Sequence, residues 1–204
     1  MKKAMTISYE VGDSLYLNIT NKCPCACTFC LRQNGDGAYG SDPLWLEHTP
    51  SFEEITENLS QRALDKYRNI VFCGYGEPTC ELEMLKKVAK WLKERTKTPL
   101  RLNTNGLSDL VNHRSTAPEF AGLIDIISIS LNAPDEADYM SVTRPSFGEG
   151  SYGAMLKFAS EVKNYVPETV LTVVDIIGEE QVEKSRKIAE SVGVKLRVRE
   201  YIPD

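Results

Sequence analysis

Long apolar runs are missing from this sequence, and so is an excess of positive charge. No stretch approaches the roughly 20 consecutive apolar residues that a membrane-crossing helix needs, so no membrane partner is expected. Met1 to Thr6 carries lysines at positions 2 and 3 but no apolar segment of a secretory leader; a cytoplasmic protein is expected. With 24 Lys and Arg against 29 Asp and Glu, the net charge is -5, which suggests no dominant basic surface for nucleic acid but leaves room for a local basic patch. Histidine occurs twice, at His48 and His113, without ligand-like spacing. Internal repeats, low-complexity tracts and Pro/Gly/Ser-rich linkers are absent too. The 204 residues are therefore expected to form one domain, 1–204, around one core.

What is present is alternation. Short apolar runs at Ser14–Ile19, Asn69–Cys73, Leu100–Thr104, Ile124–Leu131, Thr169–Ile177 and Lys195–Tyr201 read as six strands. Between them lie amphipathic stretches. Ser51 with Glu54 makes a capping box, and the helix after it is expected to run to Tyr67. Leu82, Leu85, Val88, Ala89 and Leu92 share one face of a second helix. A less regular helix is expected over Ser108–Phe120, and others within Gly150–Val166 and Glu179–Val192. Strands alternating with helices imply α/β architecture with a parallel sheet, either open and doubly wound or a partial barrel. In both, functional groups sit at the carboxyl ends of the strands.

Six cysteines are many for such a chain, and four fall within Cys23-Pro24-Cys25-Ala26-Cys27-Thr28-Phe29-Cys30. They lie in the long polar loop from Thr20 to Pro50, after the first strand. Closely spaced cysteines in a reducing compartment read as metal or redox chemistry. Cys23, Cys27 and Cys30 form CxxxCxxC. Thiolates are the usual ligands of iron–sulfur clusters; three of them leave one iron of a 4Fe–4S cube open to a further ligand. The competing reading is structural zinc, which favours two CxxC-like pairs far apart; only Cys27 and Cys30 make one here. An iron–sulfur electron carrier or redox sensor is the other alternative, as is a zinc-stabilised binding module. Cys25, between two ligand candidates, is expected to point away. Cys73 reads as a small buried hydrophobe, Cys80 as a weak redox candidate, and Trp45 as a packing anchor.

With an aromatic residue, Phe29, directly before the last cysteine, this motif resembles the signature of the radical S-adenosylmethionine (SAM) superfamily. Further features of that family recur in order. Gly74-Tyr75-Gly76-Glu77-Pro78 resembles its Gly-Gly-Glu-Pro turn, with Tyr75 in place of the first glycine; the resemblance assigns Gly76 and Glu77 to the SAM amino group. Asn103-Thr104-Asn105-Gly106 resembles the family's Thr-Asn-Gly run and puts Thr104 and Asn105 beside SAM. Period two places Ser128, Ser130 and Asn132 on one face of a strand, and Ser130 and Asn132 are candidate SAM contacts. Arg144 is a candidate for the SAM carboxylate, and Tyr201 and Ile202 for adenine.

The resemblance implies a partial parallel (βα)6 barrel holding a 4Fe–4S cluster on Cys23, Cys27 and Cys30. It implies reductive cleavage of SAM to methionine and a 5′-deoxyadenosyl radical, which takes hydrogen from a substrate. It also implies an external one-electron donor such as flavodoxin or ferredoxin. A laterally open barrel would admit a large substrate. At a narrower level, Leu15-Tyr16-Leu17-Asn18-Ile19-Thr20-Asn21-Lys22-Cys23, Phe29-Cys30-Leu31-Arg32-Gln33 and Leu44-Trp45-Leu46-Glu47 resemble the TatD-associated radical SAM group.

Overall fold

The computed structural model describes residues 2–33 and 35–200. Seven strands form one sheet in the order of the chain: β1 (Ser8–Val11), β2 (Ser14–Leu17), β3 (Ile70–Phe72), β4 (Leu100–Thr104), β5 (Ile126–Ser130), β6 (Glu168–Val174) and β7 (Lys195–Arg199). From β2 onward each strand pairs parallel with the next. The helices are α1 (Phe52–Ser60), α2 (Leu82–Lys93), α3 (Ser108–Asn112), α4 (Glu136–Thr143), α5 (Ser151–Val162) and α6 (Glu179–Val192). At least one helix lies in every parallel connection.

A doubly wound sheet reverses its strand order at a switch point. This order never reverses, so the sheet is singly wound, as in an incomplete barrel. The burial pattern agrees. Leu15, Leu17, Ile70, Phe72, Leu100, Leu102, Ile127, Ile129, Leu171 and Val173 join one core with the apolar faces of the helices. The alternate residues, among them Tyr16, Arg101, Asn103, Ser128 and Arg197, fall on the other face.

Six strands were expected and seven are found. The extra one, β1, pairs antiparallel with β2 through a tight turn at Gly12 and Asp13. Gly12 has φ +57°, a conformation open to glycine at no steric cost. The capping box forms as expected: Ser51 Oγ accepts from Glu54 N at 3.2 Å and Glu54 Oε2 from Ser51 N at 2.8 Å. The helix nonetheless ends at Ser60 rather than Tyr67. Arg62 turns back to bond Ser8 Oγ and Ser8 O, both at 3.2 Å, and a single 3-10 turn at Leu64–Lys66 feeds β3. Ser108–Phe120 also divides, into α3 and a 3-10 turn at Ala117–Phe120. Helix α4 was not anticipated; Asp135 caps it by accepting from Asp138 N at 2.9 Å.

Candidate functional site

The cysteine loop leaves β2 at its carboxyl end, with Cys25 buried in the main core and Cys23 and Cys27 packed against it. Asn18 sets its course. Fully buried, it donates through Nδ2 to Leu44 O (2.7 Å) and Thr6 O (3.3 Å), and its Oδ1 accepts from Tyr75 N at 3.3 Å. The glycines after β3 are there to be approached. A Cβ on Gly74 would lie 2.2 Å from Asn18 Oδ1, and one on Gly76 would lie 2.2 Å from Thr20 O. Glu77 N donates to Lys22 O at 2.7 Å, tying this turn to the residue before Cys23.

The far side of the loop is held by α4. Ala26 N donates to Thr143 O (3.2 Å) and Arg144 O (3.3 Å), and Thr28 N to Val142 O at 2.9 Å. The last carbonyls of a helix have no partners within it, and here loop amides take them. Arg144 ends the helix in a left-handed conformation, φ 48°.

Arg32 reaches into the cysteine loop. Its Nε donates to Cys30 Sγ at 3.4 Å, its other nitrogens reach Asn21 O and Cys25 O, and the guanidinium lies 5.6 Å from the Trp45 ring centroid. Burial works against its charge, but the hydrogen bond to Cys30 and the nearby thiols of Cys30, Cys23 and Cys27 hold its pKa up. The thiol of Cys25 stands beside those of Cys23 and Cys27. Hydrogen bonding to it lowers both of theirs, against burial, and pushes its own upward. Cys25 thus does not point away from Cys23 and Cys27: it is 5% exposed, its backbone bridges to Pro145, and Asn105 Nδ2 approaches its sulfur at 3.5 Å.

These residues fit an iron–sulfur cluster in their chemistry. Cys23, Cys27 and Cys30 are thiols, the ligand type such clusters use, and all three are partly exposed. Tyr139 Oη, in a fully buried side chain, has no hydrogen-bond partner among the described residues, and its environment includes Cys25 and Cys27. Among the described residues no three His, Cys, Asp or Glu surround a single point as ligands of one ion would.

Glu77 is a hub between strand ends. Its Oε1 accepts from Thr79 N (3.1 Å), Thr79 Oγ1 (2.8 Å) and Thr104 Oγ1 (2.8 Å), and Oε2 from Asn105 N (2.8 Å). Burial pushes its carboxyl up, while these donors pull the other way. Gly76, Glu77, Thr104 and Asn105 are therefore gathered beside the cysteine loop. Tyr75 turns from it, donating to Gly35 O (3.0 Å) and Gly37 O (2.8 Å) and packing edge-on against Trp45.

The remaining candidates spread out. Phe29 is 43% exposed. Ser130 continues the non-core face of β5. The strand ends there, so the period-two alignment does not reach Asn132, which takes φ 64° and donates to Thr143 Oγ1 at 3.2 Å. The Arg144 side chain is exposed and donates to Ser141 O at 3.3 Å. Tyr201 and Ile202 lie outside the described residues. Burial, then Glu77, push the Cys80 thiol up to about 12; burial also raises Cys73. Sequence reasoning missed Arg32, Tyr139 and the α4 carbonyls. Arg32 was signalled by its position two residues past Cys30, and α4 by its Asp135 cap.

Comparison with known proteins gives this geometry its context. The model of the radical SAM superfamily matches residues 17–190. A GTP 3′,8-cyclase of Rhodococcus opacus (strain B4) is 26% identical, the match covering 82% of this chain and 48% of that protein; the chain thus spans about half the length of this curated relative. Among solved structures, a radical SAM methyltransferase from Sphaerobacter thermophilus superposes with a TM-score of 0.60 at 16% identity, covering 95% of this chain and 57% of the other. SuiB of Streptococcus suis bound to S-adenosylmethionine gives 0.65 at 14% identity, covering 94% and 41%. These likenesses carry the fold, a single mostly parallel α/β sheet. No helix among the described residues is long and apolar enough to cross a membrane. The family comprises enzymes that use a 4Fe–4S cluster and SAM and generally draw an electron from an external donor, and this chain belongs to the radical SAM superfamily.

Proposed function

We propose that Cys23, Cys27 and Cys30 hold the 4Fe–4S cluster, and that Gly76, Glu77, Thr104, Asn105, Ser130, Asn132 and Arg144 form the SAM side of the site. When bound, the cluster supplies reductive cleavage of SAM to methionine and a 5′-deoxyadenosyl radical, which abstracts hydrogen from a substrate. The observation that carries this reading is the match of the radical SAM superfamily model over residues 17–190, with the three thiols on a loop clamped between the glycine turn and the end of α4.

The chain's own residues do the positioning. Arg32 offsets the negative charge of thiolates. Glu77, with both oxygens already accepting from this chain, orients the Thr104 hydroxyl and the Asn105 amide rather than offering a free carboxylate. Tyr75 fixes the loop over the site. Flavodoxin or ferredoxin is the donor in this reading, residues 1–204 act as one domain, and the setting is cytoplasmic. The narrower kinship with the TatD-associated group rests on the strings around Cys23, Cys30 and Trp45. A large substrate is supported by a sheet whose edge strands, β1 and β7, do not pair with each other.

The test is anaerobic reconstitution with iron and sulfide, reduction with dithionite, addition of SAM and detection of 5′-deoxyadenosine by mass spectrometry. The product is expected from the wild type and not from Cys27→Ala. A loaded, reduced wild-type protein that yields none defeats the proposal.

A further inference from the structure

The non-core face of the sheet carries a row of side chains in strict register: Tyr16, Val71, Arg101, Ile126 and Glu168, one from each of β2 to β6. Tyr16, Arg101, Ile126 and Glu168 of this row line a cavity of about 520 Å³ at the amino-terminal end of the strands, together with Asp13, Arg68 and Arg197. Two of the three arginines there are matched. Arg197 pairs with Glu168 at 3.3 Å and Arg68 with Asp13 at 3.7 Å.

Arg101 is not. Its neighbours in the row are the apolar Val71 and Ile126, and no carboxylate pairs with it among the described residues. It donates to Tyr16 Oη at 2.9 Å and lies 5.9 Å from that ring's centroid. Its Nε is buried and has no hydrogen-bond partner among the described residues. The next side chain on this face of β4, Asn103, has a buried Oδ1 in the same condition. A buried donor left unpaired is costly, and a guanidinium offers a planar fork shaped for carboxylate or phosphate.

We propose that Arg101 is a substrate-binding residue that receives an anionic group, carboxylate or phosphate, inside this cavity. The inference rests on the function proposed above, in that the ligand is taken to be the substrate. The geometry gives its span. Asn105, four residues after Arg101 and just past the end of β4, touches Cys25, so at about 3.3 Å per residue the guanidinium's backbone lies roughly 13 Å below the cysteine loop. A substrate held here reaches its reacting carbon toward the loop and its anionic end toward Arg101. Tyr16 takes Nη2 from one side, leaving Nη1 for the ligand.

The probes are inorganic phosphate and succinate, titrated into the reconstituted protein against chloride at equal ionic strength while the thermal midpoint is followed. A saturable rise is expected with at least one probe, and the probe that saturates first names the group. Arg101→Gln should weaken that binding at least 10-fold, whereas Arg186→Gln, which removes an arginine of α6 paired with Glu183 away from the cavity, should not. Should Arg101→Gln fail to fold, arginine modification of the wild type by phenylglyoxal, mapped by peptide mass, replaces it; the anion is expected to slow modification at Arg101. No saturable rise, equal binding by Arg101→Gln, or unprotected Arg101 overturns the proposal. Formation of 5′-deoxyadenosine by the same preparation reports separately on the function, so a protein that cleaves SAM but binds neither anion fails here alone.

Discussion

Replacing Gly76 by alanine tests whether the turn after β3 holds the cysteine loop by contact. The added Cβ would stand 2.2 Å from Thr20 O and 2.8 Å from Lys22 O, where ordinary contacts begin near 3.4 Å. The strand-end segment must therefore retreat by about 1 Å. Overpacking of this kind costs ~1–3 kcal/mol. Retreat also strains the 2.7 Å bond from Glu77 N to Lys22 O, worth about 1 kcal/mol. The expected loss is about 2–4 kcal/mol, read as a lower urea midpoint of the iron-free protein. Because the displaced residues lead directly into Cys23, iron and sulfide content after reconstitution should fall as well. Gly153→Ala supplies the opposite sign. Gly153 lies in α5 with nothing within 4 Å of an added Cβ, and alanine there should stabilise by about 0.5–1 kcal/mol. If Gly76→Ala unfolds within 0.5 kcal/mol of the wild type, to apply the resolution of such data, and loads iron normally, the contact argument is wrong.

Tyr139→Phe removes a buried hydroxyl with no partner; the iron-free variant should be as stable as the wild type or more so, by up to about 1–3 kcal/mol, and a clear loss in urea would reveal a partner. Burial raises the Glu77 pKa above its ordinary 4.5, so the folded state binds a proton more tightly than the unfolded chain. This contribution is complete in acid and is lost as pH rises through the folded-state value. The stability of the wild type relative to Glu77→Gln should accordingly decline from pH 4.5 upward, and a relative gain would contradict the sign. Tyr75→Phe loses the hydroxyl that donates to Gly35 O and Gly37 O. It should cost about 0.5–1.5 kcal/mol and quicken proteolytic cleavage within 35–45; unchanged cleavage would mean that the loop is held by other contacts.

The parallel strands were legible because their core-facing residues alternate without interruption, and Leu100–Thr104 and Glu179–Val192 match to the residue. β1 was missed because Ser8–Val11 has too little apolar content to stand out; its pairing with β2 depends on Gly12. α4 was missed because Glu136–Thr143 has almost no apolar face. Its worth to the fold lies in carbonyls, which leave no trace in side-chain periodicity. The CxxxCxxC spacing stood out, but the environment of Cys25 did not. Whether a thiol faces in or out depends on the bridge to Pro145, 120 residues away by the numbering.

The clasp between the cysteine loop and α4 has a bearing on the order of events in folding and metal loading. Thr28 and Val142 are 114 residues apart in sequence, and contacts of such long range close late because the intervening chain must be ordered first. Until then the thiols sit on an open segment. Once closed, the amides of Ala26 and Thr28 share the fate of α4, and hydrogen exchange should release them together with that helix as one cooperative unit. In the function proposed above, the finished cluster site therefore exists only once most of the sheet is in place.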